Sequence, residues 1–141
     1  MLDIGIQPFL LAGNLAGVIS LRLVRMLCPH CRKATKAEMS QLPLAARRVV
    51  ESSGKATFFA PVGCDKCGGH GYAGRTGIFE ILLCEDRLRQ AISSGAGLPA
   101  LREATVAAGM RTMLLDGMEK AARGITTVEE VLRTVPVQEW Q

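Results

Sequence analysis

The stretches CPHC at residues 28–31 and CDKC at residues 64–67 decide most of what this sequence can form. Each stretch places two cysteines three positions apart, so both thiolates of a pair can point at one ion from a tight turn. Four sulfurs with no open position make a closed site, whereas a catalytic zinc usually keeps one position for water. The sequence therefore predicts one structural zinc ion. The predicted ligands are Cys28, Cys31, Cys64 and Cys67.

The chain has five cysteines, and an odd number in two CxxC pairs fits reduced thiols that hold a metal better than a disulfide framework. The fifth, Cys84, ends an apolar run and is predicted to be a small buried apolar residue. His30 and His70 lie beside the pairs and are alternative ligands, but with four cysteines available we expect them at the surface. The glycines at residues 68–69 are expected to let backbone amides donate to the sulfur before them.

Two other classes of protein use parts of this cysteine pattern. CPHC is also the active-site tetrapeptide of strongly oxidising thiol oxidoreductases, in which the first cysteine lies at a helix N-terminus in a βαβ setting. CDKCGGHG matches one unit of the cysteine-rich module of J-domain co-chaperones, but those modules use four units. The second CxxC pair, and a helix that we expect to end before Cys28, favour the metal site.

Composition limits the fold of this 141-residue chain. Apolar residues make up 48% and aromatic residues only 4%, so an aliphatic core is expected and disorder is disfavoured. The net charge of +4 is uneven, because residues 22–55 carry eight Lys or Arg and only two acids. This basic stretch is either a solvated face or a surface for phosphate, acidic lipid or an acidic partner.

The N-terminal part is uncharged over residues 5–21, close to the shortest membrane span. It contains Gln7, Pro8 and Asn14, so we predict a buried helix that starts at Pro8 and continues to about residue 26. With no secretory leader and no span, the chain is expected in the cytoplasm. The expected inward residues are Phe9, Ala12, Ala16, Ile19, Leu23 and Met26.

Short elements are predicted in the middle of the chain. Residues 38–51 indicate a short helix started or interrupted at Pro43, and residues 57–62 indicate an extended segment. The sequence GRTG at residues 74–77 predicts a turn. The apolar run at residues 78–84 predicts a largely buried strand after that turn.

Four short helices are predicted after this strand. The first presents Leu88 and Ile92 inward, and the second starts at Pro99. The last helix follows two overlapping capping boxes, which begin at Thr126 and Thr127. The sequence thus favours a mixed α/β fold without internal repeats.

Three longer stretches carry a resemblance to a known family. They are PFLLAGNLAGVISLRLVRMLCPHC, GCDKCGGHGYAGRTGIFEILL and GMRTMLLDGMEKAARGITTVEEVLR. The CxxC pairs followed by GYxGRTGI and GITTxEEV resemble the C-terminal part of the secretion ATPases, the motors of type II secretion and type IV pilus assembly. The resemblance spans nearly the whole chain, and GRTGIFEI favours the type II member.

This resemblance implies an α/β fragment, the end of a RecA-like motor core with an inserted four-cysteine zinc subdomain and an α-helical C-terminal part. Residues 1–27 would end the core, residues 28–72 would be the zinc subdomain, and residues 73–141 a returning strand and helical end. The family is a hexameric P-loop ATPase on the cytoplasmic face of the inner membrane, and ATP with Mg²⁺ belongs to the full-length parent. The implied partners are other copies of the subunit and an inner-membrane secretion platform protein.

The chain departs from that family in one respect that matters for activity. It contains no GxxxxGK[ST], so the phosphate cradle of a P-loop is missing and the chain alone is expected not to hydrolyse ATP. A truncated gene product or an excised piece is expected. The resemblance implies that Arg75 lies near the nucleotide edge of the assembled motor, and the alternative is a surface arginine in a turn.

A free-standing zinc-ribbon module that binds nucleic acid through the basic stretch is a further alternative. Only Phe58 and Phe59 lie near that stretch to stack on bases. We therefore expect no nucleic-acid partner.

Overall fold

The structure is a computed structural model that describes residues 5–35, 42, 44–53 and 57–135. The mixed α/β composition predicted from the sequence is confirmed. The helices are α1 Pro8–Asn14, α2 Leu44–Ser53, α3 Asp86–Ser93, α4 Leu98–Ala107, α5 Met113–Ala122 and α6 Val128–Thr134. The strands are β1 Gly17–Leu27, β2 Lys33–Thr35, β3 Phe58–Ala60 and β4 Tyr72–Leu83, and a short 3-10 helix spans Asp65–Cys67.

Two strand pairs organise these elements, β1 with β4 and β2 with β3. The β1–β4 pair is antiparallel, because Cys84 N–H donates to the Ala16 carbonyl at one end and Cys28 N–H donates to the Gly71 carbonyl at the other. β2 and β3 are also antiparallel, with Ala34 opposite Phe59. The first cysteine pair therefore lies between the end of β1 and the start of β2, and the second lies between β3 and β4.

The long N-terminal helix predicted from Pro8 to about residue 26 is wrong beyond Asn14. Helix α1 ends there, and β1 occupies Gly17–Leu27. Gly13, Asn14 and Gly17 are poor helix formers, and a short apolar run fits a strand as well as a helix when a partner strand is available. Of the residues expected to face inward, Ala12 is buried, whereas exposed side chains are those of Phe9, Ile19 and Leu23.

The turn predicted at residues 74–77 is also wrong, because these residues lie inside β4. Twelve steps along β1 separate Ala16 from Cys28, whereas thirteen steps along the other strand separate Gly71 from Cys84. β4 therefore contains one extra residue, and Gly74 has the positive φ of 75° typical of a glycine β-bulge. Gly74 does depart from extended backbone geometry, but the chain forms a bulge there and does not reverse its direction.

Most of the remaining predicted elements are present. The extended segment is confirmed as β3 and the four C-terminal helices as α3 to α6. The strand predicted at residues 78–84 is present within β4, but the prediction that it is largely buried is wrong, because the alternate side chains Phe79, Ile81 and Leu83 are exposed. The helix predicted at residues 38–51 is present as α2 from Leu44, while residues 36–41 and Pro43 lie outside the described residues. The sequence also predicts that the last helix ends at Pro136, and this residue lies outside the described residues.

The chain forms two compact units whose boundaries lie after Ser20, Phe79 and Arg111. Unit 1 comprises residues 1–20 and 80–111. Its described core is a small cluster around α1, α3 and α4, with Leu11 and Leu101 packed at its border. The buried residues of this cluster are Ala12, Cys84, Leu88, Ile92 and Ala104.

Unit 2 comprises residues 21–79 and 112–141 and has the larger core. Ile78, Met118, Ala121 and Val131 are fully buried in it. Phe58 and Val49 belong to the same cluster, so the described parts of residues 28–72 share their core with α5 and α6. The division into residues 1–27, 28–72 and 73–141 stays a prediction drawn from the family resemblance. The two compact units divide the chain at other positions.

None of the described helices has both the length and the apolar character that crossing a bilayer requires.

Candidate metal centre

The four predicted cysteines come together in unit 2, and their Sγ atoms all lie within 4.8 Å of one another. The Sγ atoms of Cys28 and Cys64 are 3.9 Å apart, those of Cys31 and Cys67 3.8 Å, and those of Cys64 and Cys67 3.8 Å. These separations are far longer than a disulfide bond of about 2.05 Å. All five cysteines of the chain are free thiols.

The first pair lies where β1 ends. Cys28 is buried, and its backbone N–H donates to the Gly71 carbonyl at 2.9 Å. Its own carbonyl accepts from Cys31 N–H at 3.3 Å and Arg32 N–H at 3.0 Å. These two bonds form a tight turn that brings the two sulfurs of the pair to the same side, as the spacing predicted.

The second pair lies between β3 and β4, on the short 3-10 helix that ends at Cys67. Cys67 N–H donates to the Cys64 carbonyl at 3.1 Å, and Gly69 N–H donates to the same carbonyl at 2.9 Å. A side chain at Gly71, which has a φ of 74°, would collide with Pro61, with its Cβ only 2.5 Å from the proline Cβ. The glycine allows the chain to leave the second pair and enter β4 beside the first.

Two backbone amides donate to the sulfur of Cys67. They belong to Cys64 and Gly71, each with an N···S distance of 3.2 Å. Amide donation to this sulfur was expected, but from residues 68–69, whose N–H groups donate to carbonyl oxygens instead. The donors therefore come from both sides of the turn.

These hydrogen bonds make the thiols unequal as acids. Burial raises the pKa of Cys67, but the backbone amides of Cys64 and Gly71 stabilise its thiolate and bring the net pKa down to about 6. Burial raises the pKa of Cys31 to about 11, although a hydrogen bond from the Gly63 backbone opposes this. A metal ion would therefore have to displace protons when it binds, so its affinity should fall as the pH falls.

The residues present fit a tetrahedral metal ion. Four metal–sulfur bonds of about 2.3 Å require sulfur–sulfur edges of about 3.8 Å, which matches the three shortest separations above. Four soft sulfur donors in this geometry are typical of zinc or iron–sulfur sites. The four cysteines could therefore hold a metal ion.

The alternative ligands do not join this cluster. His30 and His70 are both exposed. Among the described residues, the group that could hold a metal ion consists of the four cysteines and includes neither histidine. Cys84 is buried in the aliphatic cluster of unit 1, as predicted from its apolar surroundings. Cys28 follows a strand, and residues 29–35 form a turn and β2, so the helix that a thiol oxidoreductase places at its first cysteine is missing here.

A buried carboxylate close to this site was missed by the sequence analysis. Glu130 on α6 is only 1% exposed, and its carboxylate accepts from the backbone N–H and the guanidinium of Arg25 on β1. Arg133 donates two further hydrogen bonds, each of 3.0 Å. The pairing of residues 105 positions apart left no local signal, and the capping box that begins at Thr127 had assigned this carboxylate to the helix cap, whereas it binds Arg25 and Arg133 instead.

The hydrogen bonds from Arg25, helped by those from Arg133, hold the pKa of Glu130 at about 2 despite its burial. Thr127 Oγ accepts from Glu130 N–H at 3.1 Å and caps α6, so the second of the two predicted capping positions is the one used. Thr126 instead donates to the Arg25 carbonyl at 2.7 Å. The carboxylate stays ionised at neutral pH and holds β1 to α6.

Arg75, the predicted nucleotide-proximal residue, lies exposed on β4, one residue after the bulge at Gly74. Among the described residues it makes no hydrogen bond or ion pair. Phe58, one of the two expected base-stacking rings, is buried in the core. Phe59 lies under the Arg32 guanidinium, 4.9 Å from ring centroid to Cζ, so neither aromatic ring presents a free face typical of nucleic-acid binding.

Comparison with known proteins agrees with the resemblance found in the sequence. The model of the type II/IV secretion system protein family matches residues 1–133. The type II secretion system ATPase E of Vibrio cholerae is 41% identical over 133 residues, covering 93% of this chain and 25% of the relative. The type II secretion system protein E of Klebsiella pneumoniae is 44% identical over 131 residues, covering 93% and 25%.

Type IV pilus proteins are similar to the same degree. The type IV pilus assembly ATPase PilB of Thermus thermophilus is 40% identical over 134 residues, covering 94% of this chain and 15% of the relative. The chain thus spans a quarter or less of the length of these three relatives.

Proposed function

Because the chain belongs to the type II/IV secretion system protein family, we propose that it is a C-terminal portion of a secretion ATPase, which powers pseudopilus assembly and protein export in the full-length parent. Its own contribution is a structural zinc centre and contacts with neighbouring subunits or with the membrane platform. The observation that carries this proposal is the cluster of four cysteine sulfurs at tetrahedral spacing.

In this proposal residues 1–27 end a RecA-like core, residues 28–72 carry the zinc centre, and residues 73–141 supply the returning strand and helical end. The parent assembles as a hexamer on the cytoplasmic face of the inner membrane, where it contacts a platform protein. The names of the Vibrio cholerae and Thermus thermophilus relatives support the ATPase assignment for the parent.

Type IV pilus assembly is the second candidate, and the identities support it almost equally. They are 40% for the Thermus thermophilus pilus ATPase and 41% for the Vibrio cholerae secretion ATPase. The GRTGIFEI wording favours secretion. Complementation separates the two: a chimera that carries this chain in place of the matching part of each relative should restore secretion better than pilus assembly. Restoration of pili alone would reverse the choice.

Elemental analysis tests the zinc centre directly. The chain purified under reducing conditions should carry about one zinc per monomer, as a closed four-thiolate site should. Iron in the same ratio would mean that the site binds iron instead of zinc. Absence of any bound metal after zinc addition would contradict the proposed metal centre. A Cys84→Ala variant is the matched control, because Cys84 is not one of the four clustered cysteines and its loss should leave the metal content unchanged.

An ATP hydrolysis assay tests whether catalysis requires the parts of the parent that this chain does not contain. The chain alone should show no turnover above background, because it contains no P-loop to hold the phosphates. Turnover that follows the protein through purification would contradict this. In the full-length parent, Arg75→Ala should lower the ATPase rate or nucleotide affinity without changing zinc content, and Arg75→Lys should rescue only partly because it loses the guanidinium fork.

A further inference from the structure

The connection between α5 and α6 contacts the chain on both sides of the first cysteine pair. Ahead of the pair, Leu27 N–H donates to the Ile125 carbonyl at 2.8 Å. Behind it, the Arg32 guanidinium donates to the Gly124 carbonyl. That carbonyl lies at the C-terminal end of α5, where a cation is electrostatically favoured. The turn that carries Cys28 and Cys31 is thus held at both of its ends by one short connection.

The same region holds the segment that follows the second pair. The Tyr72 hydroxyl lies 3.2 Å from Thr127 Oγ, and the Arg25 guanidinium lies over the Tyr72 ring, 4.2 Å from its centroid. Tyr72 directly follows Gly71, whose N–H donates to Cys67 Sγ and whose carbonyl accepts from Cys28 N–H. The position of Tyr72 therefore determines the position of the Gly71 amide, which donates to Cys67 Sγ, a candidate ligand atom.

Glu130 is the buried group on which these contacts converge. Its carboxylate binds Arg25 through both the backbone N–H and the guanidinium, three residues before Cys28. The Arg25 side chain is 46% exposed, so without the carboxylate it would be free to move into solvent. The buried carboxylate thus fixes the side chain that lies on Tyr72.

We propose that Glu130 is a positioning residue for the four-cysteine metal centre: it holds Arg25, and through Arg25 and Tyr72 it fixes the Gly71 amide against Cys67 and the end of β1 that carries Cys28. The proposal rests on the metal centre proposed above. It makes α6 and the metal centre one coupled structure, so metal binding should stabilise α6 and the integrity of α6 should raise metal affinity, because such coupling is reciprocal.

The test is zinc affinity, measured by competition with a chromophoric chelator at neutral pH on the full chain and on a Glu130→Gln variant. The variant should still bind one zinc, but with about tenfold lower affinity, as found when groups that orient metal ligands are removed. Arg133→Ala is the matched control, because Arg133 binds the same carboxylate from within α6 and its described hydrogen bonds go to Glu130. Its zinc affinity should stay within about twofold of the parent chain.

Two further measurements distinguish positioning from a general loss of stability. Zinc addition should slow amide exchange in α6 of the parent chain, and this effect should be weaker in Glu130→Gln. Arg25→Lys keeps the charge and the backbone amide but loses the planar guanidinium that lies over Tyr72, so it should also lower zinc affinity. This variant carries the test if Glu130→Gln does not fold. Tyr72→Phe keeps the ring under Arg25 and should change affinity little.

Equal zinc affinity in the parent chain, Glu130→Gln and Arg25→Lys would overturn this inference while leaving the metal centre intact. A parent chain that binds no zinc would overturn the metal centre itself and this inference with it.

Discussion

The two compact units of this chain place their cysteines in opposite chemical surroundings. In unit 1, Cys84 is buried among aliphatic side chains, where a thiol behaves as a small apolar group. In unit 2, four sulfurs lie within 4.8 Å of one another, and two backbone amides donate to one of them. The same residue type packs in the core of one unit and, in the other, belongs to a cluster that could hold a metal ion, because three further sulfurs lie close enough to share that ion.

Directed polar contacts link elements within both units; in unit 1 the Arg89 guanidinium on α3 donates to the Ala12 carbonyl of α1. The core of unit 2 includes the buried Glu130 carboxylate, which pairs with Arg25 and Arg133. On its edge, Asp116 accepts from Phe79 N–H at 2.9 Å, and Lys120 donates to the Gly77 carbonyl at 2.8 Å. These bonds satisfy backbone groups on the outer edge of β4. Directed contacts of this kind specify one arrangement of aliphatic side chains that would otherwise tolerate repacking.

Loss of one of the four clustered cysteines should give the largest difference in amide exchange between the two units. Cys28→Ser should lose the metal and raise amide exchange first in the described residues 28–35 and 57–72, because binding energy at such a site is also folding energy. Exchange in α3 and α4 of unit 1 should change least. Hydrogen exchange with mass spectrometry measures both, and uniform loosening of the two units would contradict the distinction.

Acid should destabilise unit 2 through Glu130. The native pKa of about 2 lies below the ordinary value of 4.5, so the stability is present above about pH 4.5 and is lost as the pH falls towards 2. A shift of this size corresponds to about 3 kcal/mol. Chemical denaturation of the parent chain and Glu130→Gln across this range gives the measurement. The difference between them should shrink as the pH falls, and a constant difference would exclude this cause.

One substitution made in each unit should have opposite signs. Gly117 lies in α5, where an added Cβ would be 2.5 Å from Val131 Cγ1, so Gly117→Ala should destabilise by about 1–3 kcal/mol through overpacking. Gly13 lies in α1 with no atom within 4 Å of such a Cβ. Gly13→Ala should therefore stabilise by up to about 1 kcal/mol, the ordinary helix preference for alanine. Denaturant titrations measure both, and a stabilising Gly117→Ala would mean that α5 and α6 pack less closely than described.

The smallest effect is expected at Arg75. The residue is exposed on β4, so Arg75→Ala should change the unfolding free energy of this chain by less than about 0.5 kcal/mol. Thermal melts measure this change. A larger loss would give Arg75 a structural role here and would remove the reason to seek its function at a nucleotide in the parent.

Local patterns in the sequence determined the two cysteine pairs and the C-terminal helices. The two CxxC spacings identified each cysteine pair, because each pair is closed by a turn of its own few residues, whereas the two pairs meet across 36 positions. The helices α3 to α6 follow 3.6-residue periodicity with start and stop signals close by. Such features depend on neighbours within about four positions, so a single sequence contains enough information for them.

Only the tertiary structure decided where strands replace helices and which polar groups meet. Residues 17–27 form a strand because β4, more than forty positions later, supplies hydrogen-bond partners that no local pattern reveals. The bulge at Gly74 exists because β4 has one residue more than its partner. Glu130 meets Arg25 across 105 positions. In each case the deciding energy comes from a contact whose partner lies far along the chain, and folding alone brings the two together.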